Sequence, residues 1–304
     1  MPMTTPLSVP GSASNHGADA AGDGGADPRL AAYLARIGFT GTPRVDLDTL
    51  ARIQHGHMRT IPYENLDVQL GRTVGFDLDA QLDKLVARPR GGWCYEMNGV
   101  LGWALGQLGF RVTRLAGAVA RQQLGDSQVG NHLVLRVDLE GQADPAHDGP
   151  WLVDVGFGDC PLWPVRWRAH AFVQGFLDMR LEPLDGHWWR LHSHARGAAP
   201  SFDVSLDPAL ADRLVPMCSR LQTDPGSPFV QNVVCMRHHE DHLLQLRGKV
   251  LTTLYAHDTR RRELADADDL LLTLREQFGI DEPAAATLWP RIEARHRELL
   301  LARR

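Results

Sequence analysis

Arg90-Gly91-Gly92-Trp93-Cys94-Tyr95-Glu96-Met97-Asn98, running on through Val100-Leu101 and Ala104-Leu105 to Leu108-Gly109, is the stretch on which the reading of this chain turns. Val100, Leu101, Ala104, Leu105 and Leu108 recur at spacings of one, three and four, which predicts a helix over 94–108 with one apolar stripe. Gly109 is placed to close it. Gly91 and Gly92 precede the helix, so Cys94 falls in its first turn. Unpaired N–H groups and the positive end of the helix dipole there favour a thiolate. The two glycines also let backbone approach closely, which is read as room for a substrate carbonyl beside the sulfur.

Upstream, Leu30, Tyr33, Leu34 and Ile37 keep helical spacing and stop at Gly38. A second helix is expected over 47–59, with Asp46 as its N-cap and Pro62 beyond its end, and a third over 78–87. Residues 1–28 are rich in Gly, Ala, Ser, Asp and Pro. Such a segment cannot offset its ordering entropy and is expected to be a disordered extension. Downstream of Phe110 the pattern changes to short strands: 131–139 alternates, 151–157 is a compact apolar strand interrupted by Asp154, and others follow over 179–184, 188–193, 230–237 and 243–246. From Leu264 the chain turns helical again, with Leu270, Leu271, Leu274 and Phe278 as its stripe. Helices, then antiparallel strands, then a mixed end make an α+β organisation, without βαβ repetition.

The 304 residues are 43% hydrophobic and 23% charged, the balance of a globular protein with a sizeable core. A net charge of −5 argues against a nucleic-acid or anionic-membrane partner. No run of about 18 apolar residues predicts a membrane span, and no basic stretch followed by an apolar run predicts a secretory signal. Cys94, Cys160, Cys218 and Cys235 form no CxxC pair and read as free thiols of a reducing compartment, which places the protein in the cytoplasm.

A thiolate catalyst needs a base within hydrogen-bond reach and a group that orients the base. His132 opens an alternating strand, on the face opposite Leu133, Leu135 and Val137, but it is one of 14 histidines. Asp154 is sharper. A carboxylate in an apolar strand is costly unless it is paired, either to an arginine or to an imidazole. The order Cys94, His132, Asp154 matches a papain-like arrangement. The polar cluster from Arg237 to His242 falls between two strands and reads as a solvated hairpin turn, and no metal is called for.

Several separated motifs carry a resemblance. The segment from Arg90 to Asn98 resembles the arginine–glycine–glycine–x–cysteine–x–glutamate–x–asparagine signature of arylamine N-acetyltransferases. Ile61-Pro62-Tyr63-Glu64-Asn65-Leu66 is similar to that family's proline–phenylalanine–glutamate–asparagine segment, with Tyr63 for the usual phenylalanine. Asn131-His132 and Val153-Asp154-Val155-Gly156-Phe157-Gly158 resemble its histidine and aspartate segments. The similarity runs from about Leu30 to Phe278.

It implies a helical domain over 29–112, an antiparallel β-barrel domain over 113–212 and an α/β lid over 213–304. It further implies a Cys94–His132–Asp154 triad, acetyl-CoA as donor, an arylamine, arylhydrazine or hydrazide as acceptor, and no metal or redox cofactor. By the same likeness Tyr63, Gly156, Phe157, Gly158, Ser227 and Phe229 would line the CoA and acceptor cleft, and Arg90 and Glu96 would support it. Thr223, Pro225, Ser227 and Phe229 match the family's lid segment, whereas Cys218-Ser219-Arg220 stands where an asparagine and aromatics are usual. The same three reactive residues would also serve a papain- or transglutaminase-like hydrolase or cross-linking enzyme, or survive in a silent binding module.

Overall fold

The computed structural model describes residues 27–159 and 161–302. Most of the expected N-terminal extension, and Cys160, lie outside the described residues. Its last two residues do not belong to it: Asp27 caps the first helix by accepting from Arg29 N, and Pro28 begins that helix. A proline suits the first helical position because its missing N–H has no helical partner there.

The first part of the chain forms α1 (Pro28–Arg36), α2 (Leu47–Thr60), β1 (Tyr63–Glu64), α3 (Leu66–Gln69), α4 (Leu78–Leu82) and α5 (Cys94–Gln107). Asp46 caps α2 as expected, accepting from Thr49 N. A wider turn over Asp83–Ala87 extends α4. Next come β2 (Arg111–Val119), α6 (Arg121–Leu124), β3 (His132–Leu139), β4 (Gly149–Val153), β5 (Val165–Arg166), β6 (His170–Gln174), β7 (Leu177–Pro183), β8 (Trp188–His192) and β9 (Ser201–Ser205). The last part holds α7 (Leu214–Thr223), α8 (Pro228–Gln231), β10 (Val234–His238), β11 (His242–Arg247), β12 (Val250–Tyr255), β13 (Thr259–Glu263), α9 (Ala267–Thr273) and α10 (Trp289–Leu301). No helix among the described residues is long and apolar enough to cross a membrane.

Two antiparallel sheets organise the α+β fold. The larger has the order β5-β4-β3-β2-β9-β8-β7-β6. Its edges, β5 and β6, are joined by only residues 167–169, so they lie within about 14 Å of each other at full chain extension. The sheet must therefore curl. Leu115, Val134, Leu152, Val165, Met179, Leu191 and Phe202, drawn from strands across the whole order, share one apolar core inside the curl. It is a half-barrel rather than a closed barrel, since β5 and β6 share no ladder. The smaller sheet, β1-β10-β11-β12-β13, takes β1 from the helical part of the chain, with Tyr63 opposite Met236 and Glu64 opposite Cys235.

Three local expectations are corrected. The strand read over 151–157 ends at Val153, opposite Leu135, so Asp154 lies just past the ladder, in the turn that follows. The strand read over 230–237 starts at Val234, because Ser227 caps the helical turn α8 ahead of it. His238, read as part of a solvated turn, is instead the last residue of β10; it is buried, and its Nε2 lies 2.9 Å from the Asp159 carbonyl. Burial pushes that imidazole down to about 4, so it donates as the neutral ring.

Helix α5 differs from expectation in a way that matters for the site. The expected apolar stripe packs into the core, but the first two turns are covered on every side as well: each residue from Cys94 to Leu101 is buried, while Gly106 and Gln107 stay exposed. Its apolar face packs with α1, α2 and the outer face of β3, while its first turn is enclosed by Tyr63, Leu133, Leu214 and Met236. A helix start buried all round places whatever it carries at the junction of both sheets.

Candidate active site

Cys94 is the first residue of α5 and is 2% exposed. Its thiol lies 4.0 Å from the Asn131 carbonyl and is close enough to the His132 ring to favour a charge on it. The glycines ahead of it have a different use from the one expected. A Cβ on Gly91 would lie 1.8 Å from the Pro62 carbonyl oxygen, and one on Gly92 2.7 Å from Glu96 Oε2. They let the chain pack on its own backbone and on the helix cap, rather than leaving space for a substrate.

His132 opens β3, opposite Gly117 of β2. That register makes room for the ring, since a Cβ on Gly117 would stand 3.0 Å from His132 Cβ and 3.1 Å from its Cδ2. Phe202 meets the ring edge-on at 4.9 Å and Phe157 is tilted to it at 5.6 Å. The Nε2–H donates to Asp154 Oδ2 at 2.7 Å, which leaves Nδ1 for the thiol. Burial opposes a charge on this imidazole, but the Asp154 carboxylate, helped by Cys94, outweighs it and raises the ring to about 10.

Asp154 is fully buried. Its partner is the imidazole and not an arginine, and the other oxygen is satisfied as well: Oδ1 accepts from Asn98 Nδ2 at 2.8 Å and from Gly156 N at 2.7 Å. Asn98 stands one helical turn after Cys94. Its Nδ2 also donates to Leu133 O at 2.6 Å, and its Oδ1 accepts from Val155 N at 3.0 Å. One side chain thus ties the helix of the thiol, the strand of the histidine and the loop of the aspartate. Asn98 was quoted in the sequence motif without a role; its position four residues after Cys94 was the available signal. Gly117 and Phe202 left no such signal.

Gly156 presses on the helix itself. A Cβ there would meet Cys94 Cα at 2.6 Å, Asn98 Nδ2 at 2.7 Å and Cys94 Cβ at 2.9 Å. Backbone at that distance cannot yield. Gly156→Ala is expected to cost roughly 1–3 kcal/mol of stability and to separate Asp154 from His132. A lowered melting temperature with slowed Cys94 labelling in the folded fraction would bear this out; unchanged labelling would mean that the loop is free to shift.

The remaining expected residues gather around the same helix end. Tyr63 on β1 is buried; burial, and then the negative charge of Cys94 and Asp154, push its phenol well above its usual value. Gly158, at φ +92°, passes beside it, and a Cβ there would be 3.3 Å from Tyr63 Cγ and 2.7 Å from Met236 Sδ. Phe229 meets Trp93 edge-on at 5.5 Å. Ser227 is engaged as a cap, its Oγ accepting from Phe229 N at 3.3 Å. Of Cys218-Ser219-Arg220, only Cys218 faces inward, in the same apolar group as Cys94 and Tyr95.

Arg90 and Glu96 belong to a buried ionic network. Arg90 pairs with Glu64 at 2.7 Å, Asp67 at 3.1 Å and Glu282 at 2.5 Å. Glu96 Oε2 accepts from Trp93 N at 3.2 Å, capping α5, and Lys84 Nζ lies 2.9 Å from its Oε1. Burial raises the Glu96 carboxyl, and Lys84 pulls it back. A cavity of about 420 Å³ opens onto this network, lined by Asp67, Arg72, Lys84, Glu96 and Glu282 among others, and not by Cys94, His132 or Asp154.

A family model described as N-acetyltransferase matches residues 46–286. An arylamine N-acetyltransferase of Mycolicibacterium smegmatis is 38% identical over 264 residues, 83% of this chain and 92% of that protein. The solved structure of the M. smegmatis enzyme superposes with a TM-score of 0.77 at 35% identity, covering 86% of this chain and 97% of its own. The structure of Mycobacterium marinum arylamine N-acetyltransferase in complex with CoA gives a TM-score of 0.76 at 32% identity, covering 86% and 98%.

Proposed function

The chain belongs to the arylamine N-acetyltransferase family, and from that premise we propose that it moves acetyl groups from acetyl-CoA to arylamines, arylhydrazines or hydrazides by a ping-pong route through acetyl-Cys94. The observation that carries the mechanism is the chain of contacts from Cys94 through His132 to a fully satisfied Asp154. CoA as the spent donor is supported by the M. marinum relative, whose structure is a CoA complex.

In this reading His132 takes the Cys94 proton at Nδ1, while Asp154 holds Nε2–H and balances the imidazolium. The thiolate adds to the thioester carbonyl; collapse expels CoA thiolate, which takes the proton from His132. N–H groups of the first turn of α5 are the candidates to hold the oxyanion. The acceptor amine then adds to the acetyl-Cys94 carbonyl, His132 accepts the amine proton, and Cys94 leaves. A weakly basic aromatic amine suits this step, because at neutral pH its lone pair is free. Tyr63, Gly156, Phe157, Gly158, Ser227 and Phe229 are assigned to the walls of the cleft. The histidine facing the thiol through Nδ1 and its orienting group through Nε2 makes the arrangement papain-like. We read the chain as three units, 29–112, 113–212 and 213–304, and place it in the cytoplasm, where its buried free thiols Cys94, Cys218 and Cys235 would stay reduced.

Iodoacetamide labelling tests the reading. At neutral pH, Cys94 should react faster than Cys218 or Cys235; burial pushes the Cys218 thiol up to about 12 and the Cys235 thiol well above its usual value. Prior incubation with acetyl-CoA should protect Cys94 and add one acetyl group to the intact mass. Equal labelling of the thiols, or no acetyl adduct, would rule the mechanism out.

A further inference from the structure

We propose that Lys84 is a positioning residue for the reactive thiol: it cancels the charge of the Glu96 carboxylate that caps the Cys94 helix, so that no uncompensated anion stands in the first turn with the sulfur when it ionises. The proposal rests on the reading of Cys94 as nucleophile.

Lys84 is one of two lysines in the chain and lies in the wide turn that extends α4, 4% exposed. A buried ammonium is costly unless it is paired, and this one meets acids from three elements: Glu96 on α5 at 2.9 Å, Asp67 on α3 at 2.7 Å and Glu64 on β1 at 3.9 Å. The other acids have further cations. Arg90 pairs with Glu64, Asp67 and Glu282, and Arg72 pairs with Asp67 and Glu282. Among the described residues Lys84 is the one cation within 4.0 Å of Glu96.

Glu96 cannot move away. It accepts from Trp93 N, and Gly92 packs onto it closely enough that a Cβ would lie 2.9 Å from Glu96 Cβ. It stands two residues after Cys94, and its field reaches the groups around the thiol. After burial, its charge adds to the rise of the Cys218 thiol, and after burial, Cys94 and Asp154 it adds to that of the Tyr63 phenol. An uncompensated charge of that sign would oppose a thiolate at Cys94. Lys84 removes it without touching the sulfur, which makes it a positioning rather than a catalytic residue.

The test is the rate of Cys94 labelling by iodoacetamide against pH, read by peptide mapping on the full chain for the parent, Lys84→Met, Glu96→Gln and the double variant. Glutamine keeps an oxygen for Trp93 N. At pH 7 Lys84→Met should label on the order of tenfold more slowly, as expected for one unpaired charge at short range inside a protein, with its profile displaced to higher pH. The double variant should return to within about twofold of the parent. A purely structural Lys84 would lower the melting temperature and leave the profile of the folded fraction in place. That result, or a double variant as slow as Lys84→Met, overturns the proposal and leaves the nucleophile reading intact. Should Lys84→Met not fold, Glu96→Gln decides alone: it should label at least as fast as the parent, and slower labelling overturns the proposal. A parent in which Cys94 reacts no faster than Cys218 and Cys235 removes the nucleophile reading, and this proposal with it.

Discussion

Asp154→Asn is expected to keep its fold and lose acetyl transfer on the order of 10⁴-fold, the loss seen when a triad carboxylate becomes an amide. The reason lies in which atoms hold the residue. Oδ1 receives two donors, Asn98 Nδ2 and Gly156 N. The asparagine oxygen must therefore stay on that side, and its NH₂ group must turn toward His132. An NH₂ facing Nε2 makes that nitrogen an acceptor and moves the ring hydrogen to Nδ1, the nitrogen that faces the thiol. The base would then present a donor where it must take a proton. Turnover, melting temperature and Cys94 labelling measured on one preparation separate this from a structural role. Near-parental turnover in the folded fraction would remove Asp154 from the mechanism.

Cys94→Ser is expected to cost at least as much in turnover and almost nothing in stability. Serine is nearly isosteric with cysteine, and the site is already polar on one side through Asn131 O and His132. A hydroxyl is far less acidic than a thiol and attacks a thioester poorly, so loss on the order of 10⁴-fold or more is the expected result. Intact-mass measurement after incubation with acetyl-CoA should show no acetyl adduct. An adduct on the serine variant, or transfer near the parental rate, would place the nucleophile elsewhere.

Much of this protein is local, and what is local was legible. Asp46 caps α2, Gly109 at φ +91° ends the segment after α5, and Cys94 begins a helix. Each rests on a few adjacent residues whose backbone preferences do not depend on distant contacts. The motifs around Cys94, His132 and Asp154 could likewise be read as three separate segments in the right order. The change from helical to strand periodicity after Phe110 set the α+β class.

What the periodicity misjudged depends on long-range pairing. It took the strand at Trp151 four residues too far, because nothing in Val153-Asp154-Val155 announces that the ladder with β3 stops at Val153. It found the apolar stripe of α5 but not that the first two turns are covered on every side, because hydrophobic residues do not say how many sides will be covered.

The sequence by itself determined the α+β class, the Asp46 cap, the family resemblance and the three residues proposed to carry the chemistry. The tertiary structure decided how those residues meet. Asn98 reaches Asp154 across 56 positions, Gly117 clears space for His132 through strand register, and Gly156 packs on Cys94. It also decided that Gly91 and Gly92 serve packing rather than substrate, and that Lys84 is the cation beside Glu96. The physical reason is common to all of these. A cap or a turn is settled by the backbone dihedrals of neighbouring residues, whereas a Cβ clash, a shared proton or a cancelled charge exists only between atoms that folding brings within a few ångströms.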